Sequence, residues 1–228
     1  MRSIFLLLGF LGSVSVFGQM ATDTVNFDER YFEDQFYLGV TYNFIFQRPS
    51  ELSQRSLSYG LQGGIIKDIP LNRDRTVGLG IGLGYGVNSY YSDLIATNTP
   101  DGPVYEIDGS REGFDRSKVE THTVEMPLEF RWRNSTKDEY RFYRIYTGLK
   151  LAYVFSARSK FVSDIGKEAF SNDDIQRLQY GLTLNVGYDS FNIHAYYMLN
   201  TLFNEGVQVN DNDIGLRPLR IGFIFYIL

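Results

Sequence analysis

The sequence predicts an all-β fold, an eight-stranded antiparallel transmembrane β-barrel with a filled lumen. Three observations predict it. Apolar residues recur at every second position in eight segments, which is the period of a β-strand. Short and long connections alternate between these segments. Aromatic residues make up 16% of the 228 residues, with 17 Tyr and 18 Phe, as expected where aromatic side chains form girdles at two membrane interfaces.

The first 18 residues have the pattern of a secretory signal peptide. Arg2 provides a positive start, residues 4–11 are apolar, and cleavage is expected after Gly18. We place a periplasmic N-terminal segment at residues 19–34 and the barrel at residues 35–228. The chain contains no cysteine, which excludes a disulfide framework and a thiolate metal site.

The first three predicted strands set the pattern. In residues 36–46 and 57–65, apolar side chains alternate with glycine or polar ones. In residues 77–91, VGLGIGLGYGVNSYY, a glycine stands at every second position for five repeats, from Gly78 to Gly86. This spacing does not fit a phosphate-binding loop, which needs a following helix or a Gly-Lys-Ser/Thr motif. Inward glycines would instead leave room in a narrow barrel for large side chains from neighbouring strands, with the apolar row facing lipid.

The remaining five predicted strands repeat the scheme and include inward charges. They cover residues 122–132, 143–155, 178–188, 191–199 and 219–228. Each strand is close to the roughly 9–11 residues that a tilted strand needs to cross the hydrocarbon. The outward rows are uniformly apolar, which disfavours a soluble lipocalin-like barrel.

The connections indicate which way the barrel is inserted. Those after the second, fourth and sixth strands are short, whereas those at residues 92–117, 156–176 and 201–215 are long and polar. Outer-membrane barrels have short periplasmic turns and long extracellular loops. We therefore expect an outer-membrane location with both barrel ends in the periplasm.

Six charged residues fall in the inward rows of the predicted strands. An eight-stranded barrel is just wide enough for side chains to fill it, and an unpaired buried charge is very costly. We therefore predict a structural ion-pair core and no open pore. The lumen ion-pair candidates are Glu125, Glu129, Arg131, Arg144, Lys150 and Arg220.

Four segments carry a resemblance to a known family. ETHTVEMPLEFRWR, RIYTGLKLAYVFSARSKFVSD, LQYGLTLNVGY and RPLRIGFIFYIL resemble the PorT family of outer-membrane β-barrels from the Bacteroidetes, over residues 35–228. The resemblance implies a role in the type IX secretion system, which carries cargo with C-terminal signals across the outer membrane and supports gliding motility in some species. It implies no catalytic residues. This chain departs from many barrels in ending on Leu228 rather than on an outward aromatic residue.

Two other functional classes stay open beside a secretion component. One is an envelope-structural or adhesive barrel that acts through its long loops. The other is a lipid-modifying hydrolase built on Ser117, Glu120 and His122, although residues two and three apart on a strand do not converge. The fold alone does not separate these classes.

The sequence also predicts the kinds of partner. We expect contact with outer-membrane lipid and with other proteins of the secretion machinery, and no enzymatic activity, cofactor, metal or small-molecule substrate. The net charge of −5 gives no indication of nucleic-acid binding. The acidic pairs at residues 173–174 and 211–213 lack the spacing of a known calcium loop. The partner-contact candidates in the long loops are Tyr105, Phe114, Arg158, Lys160 and Phe161.

Overall fold

The computed structural model describes residues 33–72, 74–110, 112–134, 143–188 and 191–227, and it gives no side-chain burial for residues 33 and 34. The predicted signal peptide, nearly all of segment 19–34, and Leu228 lie outside the described residues. The described strands are β1 (Glu33–Gln47), β2 (Tyr59–Pro70), β3 (Val77–Ser92), β4 (Leu94–Thr99), β5 (Gly102–Ile107), β6 (Phe114–Arg133), β7 (Tyr143–Ser163), β8 (Gly166–Ser171), β9 (Leu178–Tyr188), β10 (Phe191–Met198), β11 (Gln208–Val209), β12 (Asn212–Asp213) and β13 (Arg217–Ile227).

Eight of these strands close into one antiparallel barrel. They follow the order β6-β3-β2-β1-β13-β10-β9-β7, and the pairing of β6 with β7 closes the sheet. The first and last strands are neighbours, with Phe36 opposite Ile227 and Phe44 opposite Leu219. The predicted eight-stranded antiparallel barrel is therefore confirmed.

The period-two alternation in the sequence corresponds to alternating outward-facing and lumen-facing side chains in the barrel wall. In β9, for example, exposed and buried residues alternate from Leu178 to Tyr188. The outward rows are apolar and exposed, as in Leu83 (58%) and Phe223 (50%). Among the described residues, no helix is long and apolar enough to cross a membrane.

The glycine row of β3 faces the lumen and makes room for bulky side chains. A Cβ atom added at Gly80 would lie 2.6 Å from Arg131 Nε, and one at Gly84 would lie 2.0 Å from the Tyr37 hydroxyl. These distances are far below van der Waals contact. The glycines therefore permit the filling of the lumen by side chains from other strands.

One end of the barrel carries short connections and is called the turn end here. The opposite end, called the loop end, has more regular structure than the sequence predicts. β6 begins at Phe114 and β7 continues to Ser163, so both strands run well beyond the predicted bounds. β8 adds to β7, and β4 and β5 form a separate hairpin. We call the part of β6, β7 and β8 that extends beyond the barrel the protruding sheet.

A hydrophobic core lies at the loop end and covers the barrel mouth. It joins residues of the loops to residues near the ends of barrel strands. This loop-end cap consists of Ile45, Leu52, Tyr90, Leu94, Ala96, Tyr105, Val119, Val154, Ala157, Ile175, Leu202, Phe203, Val209, Ile214 and Leu216. The predicted loops are thus a packed structure, because they bury apolar side chains that the barrel alone leaves uncovered.

Candidate functional site

A cluster around Arg131 fills the lumen towards the turn end. β6 projects this fully buried guanidinium into the barrel, where Nη2 lies 3.0 Å from Glu129 Oε2 and Nη1 lies 3.3 Å from Asp68 Oδ1. Nη1 also donates to Gln35 Oε1 at 3.1 Å. The rings of two tyrosines lie against the guanidinium, and that of Tyr146 is 4.6 Å from Cζ. Carboxylates and aromatic faces together compensate this buried charge.

A second cluster around Glu125 fills the lumen farther towards the loop end. Glu125 Oε2 lies 2.9 Å from Lys150 Nζ, and Oε1 lies 3.7 Å from Arg220 Nη1. Lys150 also donates to Gln62 Oε1, and Arg220 Nε donates to the Tyr90 hydroxyl at 3.1 Å. One carboxylate therefore serves two cations that come from strands on different sides of the barrel.

Further polar side chains support Glu129 in the cluster around Arg131. Asn185 Nδ2 donates to Glu129 Oε1 at 3.1 Å, and its Oδ1 lies 2.5 Å from His194 Nδ1. The Tyr226 hydroxyl donates to the same Glu129 oxygen at 3.3 Å. A lumen void between these clusters has a volume of about 10 Å³, near the smallest that holds one water molecule.

The structure brings together five of the six predicted lumen residues. Arg144 instead lies partly exposed at the turn end, opposite Arg133 in the register of β6 and β7. Sequence reasoning missed Asp68, which was assigned to a turn although Arg131 and Arg133 both pair with it. The sequence did contain a signal for Asp68. It lies two residues after Ile66 in β2 and therefore on the same inward face.

The partner-contact candidates differ in their location and in how exposed they are. Tyr105 is only 7% exposed, and its hydroxyl donates to Asn172 Oδ1 at 3.0 Å and to Asp174 Oδ2 at 2.9 Å. Its ring meets Phe203 edge-on at a centroid distance of 5.4 Å. The expectation that Tyr105 contacts a partner is therefore corrected. It is a packing residue of the loop-end cap, because folding the loops over the barrel mouth buries it.

The other four candidates lie on the protruding sheet. Phe114 and Phe161 pack against each other with ring centroids 5.8 Å apart, and both are partly buried. Arg158 is exposed and Lys160 is partly exposed. The two cations are therefore reachable from outside, whereas the two aromatic rings are partly used in internal packing.

The residues considered for hydrolysis do not assemble into a catalytic set. Ser117 is buried and its hydroxyl donates to the Leu94 carbonyl at 2.5 Å, on the face opposite His122. His122 Nδ1 lies 2.6 Å from the Tyr85 hydroxyl, and Nε2 lies 3.7 Å from Glu120 Oε1. A catalytic serine must lie within hydrogen-bond reach of its base, and Ser117 points away from it.

Glu120 is the centre of a polar cluster on the outer rim, just beyond the apolar outward row of β6. It accepts hydrogen bonds from Lys118 and, at 3.1 Å, from the Ser89 hydroxyl. Partial burial opposes its ionisation, but Lys118, Ser89 and His122 outweigh burial and lower the pKa of Glu120. Partial burial likewise opposes the charge on Lys118, and Glu120 outweighs it and raises the pKa of Lys118.

No group of three or more His, Asp or Glu residues in the described part of the chain is placed to hold a metal ion. Of the acidic residues considered for calcium, Asp173 lies 2.5 Å from Arg177 Nη2, and Asp174 accepts the hydrogen bond from Tyr105. These contacts are those of structural side chains in the loops.

Comparisons with known proteins agree with this architecture. Residues 17–204 match the model of a family described as outer membrane protein beta-barrel domain. Among solved structures, the chain resembles Ail, the attachment invasion locus protein of Yersinia pestis, with 16% identity and a TM-score of 0.32, over 84% of this chain and 97% of that one. A likeness this weak indicates nothing about what this chain does. No curated protein matches it.

Proposed function

We propose, from the premise that this chain belongs to the family of outer membrane protein beta-barrel domains, that it acts through contacts at its loop end and neither conducts nor catalyses. Membership of the family supports an outer-membrane location. The observation that carries the proposal is the filled lumen. Glu125 joins Lys150 to Arg220 across it, and the loop-end cap closes the mouth above them.

The protruding sheet offers the surface for such contacts. Its β7–β8 turn ends in Ile165, which is 96% exposed, at the tip of a hairpin in which Ser163 pairs with Gly166. A large apolar side chain exposed at a hairpin tip is suited to insertion into a partner's pocket, where buried anchors supply most of the binding energy. This geometry favours an envelope-structural or adhesive barrel.

Mutation of this tip tests the loop-end contact directly. In intact cells, Ile165→Ser should reduce the recovery of proteins crosslinked to the barrel. Leu71→Ser, which alters a 55% exposed apolar residue in a turn-end connection, should not. Unboiled gel migration verifies that both variants fold. Equal crosslinking by the two variants would contradict a loop-end function.

The second candidate is a component of the type IX secretion system, and the resemblance to the PorT family supports it. Since the lumen is filled, such a component would act on its partners through surfaces and would not carry cargo itself. Deletion of the gene should then hold cargo with C-terminal signals in the periplasm. Normal cargo secretion together with lost surface attachment would favour the adhesive or structural role instead.

A further inference from the structure

The outward face of the protruding sheet carries five cations. β6 contributes Arg116 and Lys118, β7 contributes Arg158 and Lys160, and β8 contributes Lys167. We call these five residues the basic face. Arg116, Arg158 and Lys167 are exposed, and the other two are partly exposed. This concentration contrasts with the net charge of the chain, which is −5.

The strand register places these side chains on one face. Lys118 is directly opposite Lys160, and Glu120 is opposite Arg158. Across the next pair, Lys160 is opposite Ala169, two residues from Lys167 on β8. Directly opposed residues of an antiparallel pair lie on the same face, and like charges there destabilise the pair. The opposition of Lys118 and Lys160 thus has a local cost, which Glu120 offsets at Lys118.

Most of the basic face has no counter-charge among the residues that the structure describes. Lys118 pairs with Glu120. Within the described ranges, no carboxylate lies within 4.0 Å of Arg116, Arg158, Lys160 or Lys167. The four charges are therefore available to an anion from outside.

The position of the basic face relative to the membrane identifies the anion. The even-numbered side chains of β6 face lipid up to Val124, and the basic face continues the same outward row. Between them lie Tyr85, His122 and Phe155, whose rings are within 6.2 Å of one another. At about 3.3 Å per residue, Arg158 lies roughly 10 Å along β7 from Phe155. Long cationic side chains can extend back from there to the headgroup layer.

We propose that the basic face binds phosphate groups of lipid headgroups in the leaflet that surrounds the loop end. It is continuous with the lipid-facing surface, and its charge complements phosphate. Arg116 also lines a cleft of about 310 Å³, whose charged lining consists of Arg55, Arg116 and Asp115. This inference goes beyond the proposed function, because the tip at Ile165 and the basic face are separate surfaces.

Lipid competition with the refolded mature chain tests the proposal. In neutral detergent micelles, native mass spectrometry would compare binding of a bisphosphorylated lipid A with binding of its dephosphorylated form. The wild type should prefer the phosphorylated lipid. The triple variant R158Q/K160Q/K167Q should lose this preference, by roughly fivefold for each charge removed, since a basic residue near an anionic surface contributes about that factor.

Two further variants make the result specific. The variant R158K/K160R keeps both charges and should bind as the wild type does. Arg48→Gln removes an exposed cation near the loop end of β1, on the side of the barrel opposite β7, and should also leave binding unchanged. Unboiled gel migration shows that each variant is folded.

Three outcomes would overturn the proposal. One is an undiminished lipid preference in the triple variant. Another is an equal loss in Arg48→Gln. The third is equal binding of a soluble phosphorylated disaccharide without acyl chains, because the site would then not be a membrane-lipid site. Loss of protein crosslinking in the triple variant with unchanged lipid binding would assign the face to a protein instead.

Discussion

Two lysines of one strand show how differently this molecule places its charges. Lys150 of β7 is 3% exposed in the lumen and lies 2.9 Å from Glu125. Lys160, ten residues farther along β7, lies on the outward side of the protruding sheet, opposite another lysine. The strand is continuous between them, so the surroundings, and not the secondary structure, account for the difference.

Burial explains why the two regions follow different rules. A charge that loses its partner in a low-dielectric interior costs several kcal/mol. Each cation in the lumen therefore requires a carboxylate partner there. A charge in water costs little whether it is paired or not. The lumen clusters therefore stabilise one closed barrel, whereas Arg116, Arg158, Lys160 and Lys167, which have no carboxylate partner in the described part of the chain, remain available to an external anion.

The largest expected effect is the loss of a shared lumen carboxylate. Glu125→Gln leaves Lys150 and Arg220 buried without it and should lower the free energy of unfolding by about 3–5 kcal/mol. Denaturant titration followed by unboiled gel migration measures this. Glu120→Gln is the matched change on the outer rim, and it should lower the free energy of unfolding by less than about 1 kcal/mol. Similar losses for the two variants would remove the distinction between the regions.

A smaller effect is expected from overfilling the lumen. A Cβ atom at Gly82 would lie 2.8 Å from the Ile65 carbonyl oxygen and 2.9 Å from Pro127 Cγ. Gly82→Leu should therefore destabilise the barrel by about 1–3 kcal/mol in the same titration. Ile81→Leu, at a position 48% exposed on the outer surface, should be nearly silent. If the two variants were equally stable, the assignment of Gly82 to the lumen side and Ile81 to the outer surface would be wrong.

The loop-end cap should depend measurably on its buried tyrosine. Tyr105→Phe removes the donor to Asn172 and Asp174 and should cost about 1 kcal/mol. Loosening of the β4–β5 hairpin should appear as faster proteolysis within residues 92–107. Tyr153→Phe alters an outward tyrosine, 56% exposed, and serves as the control. Unchanged proteolysis of Tyr105→Phe would show that the cap does not rely on these bonds.

The smallest expected effect is the pH dependence of the rim pair of Lys118 and Glu120. Because the pKa of Glu120 is lowered in the folded chain, its contribution is present above the ordinary value of 4.5 and is lost as the pH falls through the folded value. The thermal midpoints of the wild type and Glu120→Gln should therefore differ slightly at neutral pH and converge in acid. A difference that persists in strong acid would exclude ionisation of Glu120 as its cause.

Sequence reasoning found the barrel because lipid imposes a continuous apolar row on every spanning strand. It missed the protruding sheet because the segments at residues 114–121 and 156–163 carry mostly charged or hydroxyl side chains on one face, while the other face mixes Ser, Thr and Ala with Val119 and Phe161, so that neither face forms an apolar row. Their strand character comes from pairing with each other rather than from apolar alternation. The β4–β5 hairpin did have a local signal, the Pro100-Asp101-Gly102 turn.

The lumen residues could be predicted individually but their partners could not. Period-two alternation assigns Glu125 and Arg131 to the interior. Which carboxylate meets which cation depends on the register and stagger of strands far apart in sequence. Asp68 and Arg131 meet because β2 and β6 both adjoin β3, and no local pattern contains that information.

The pairing of β1 with β13 has a consequence for how this protein is made. Phe36 and Ile227 are partners although almost the whole chain separates them, so closing that seam is the contact with the highest loop-closure cost in the molecule. Every other seam of the barrel joins strands closer in sequence. The seam is therefore expected to close after the other seams of the barrel, and until then both edge strands expose unpaired backbone. Until β13 pairs with β1, these two edges are the places where the folding barrel can pair with another chain and aggregate.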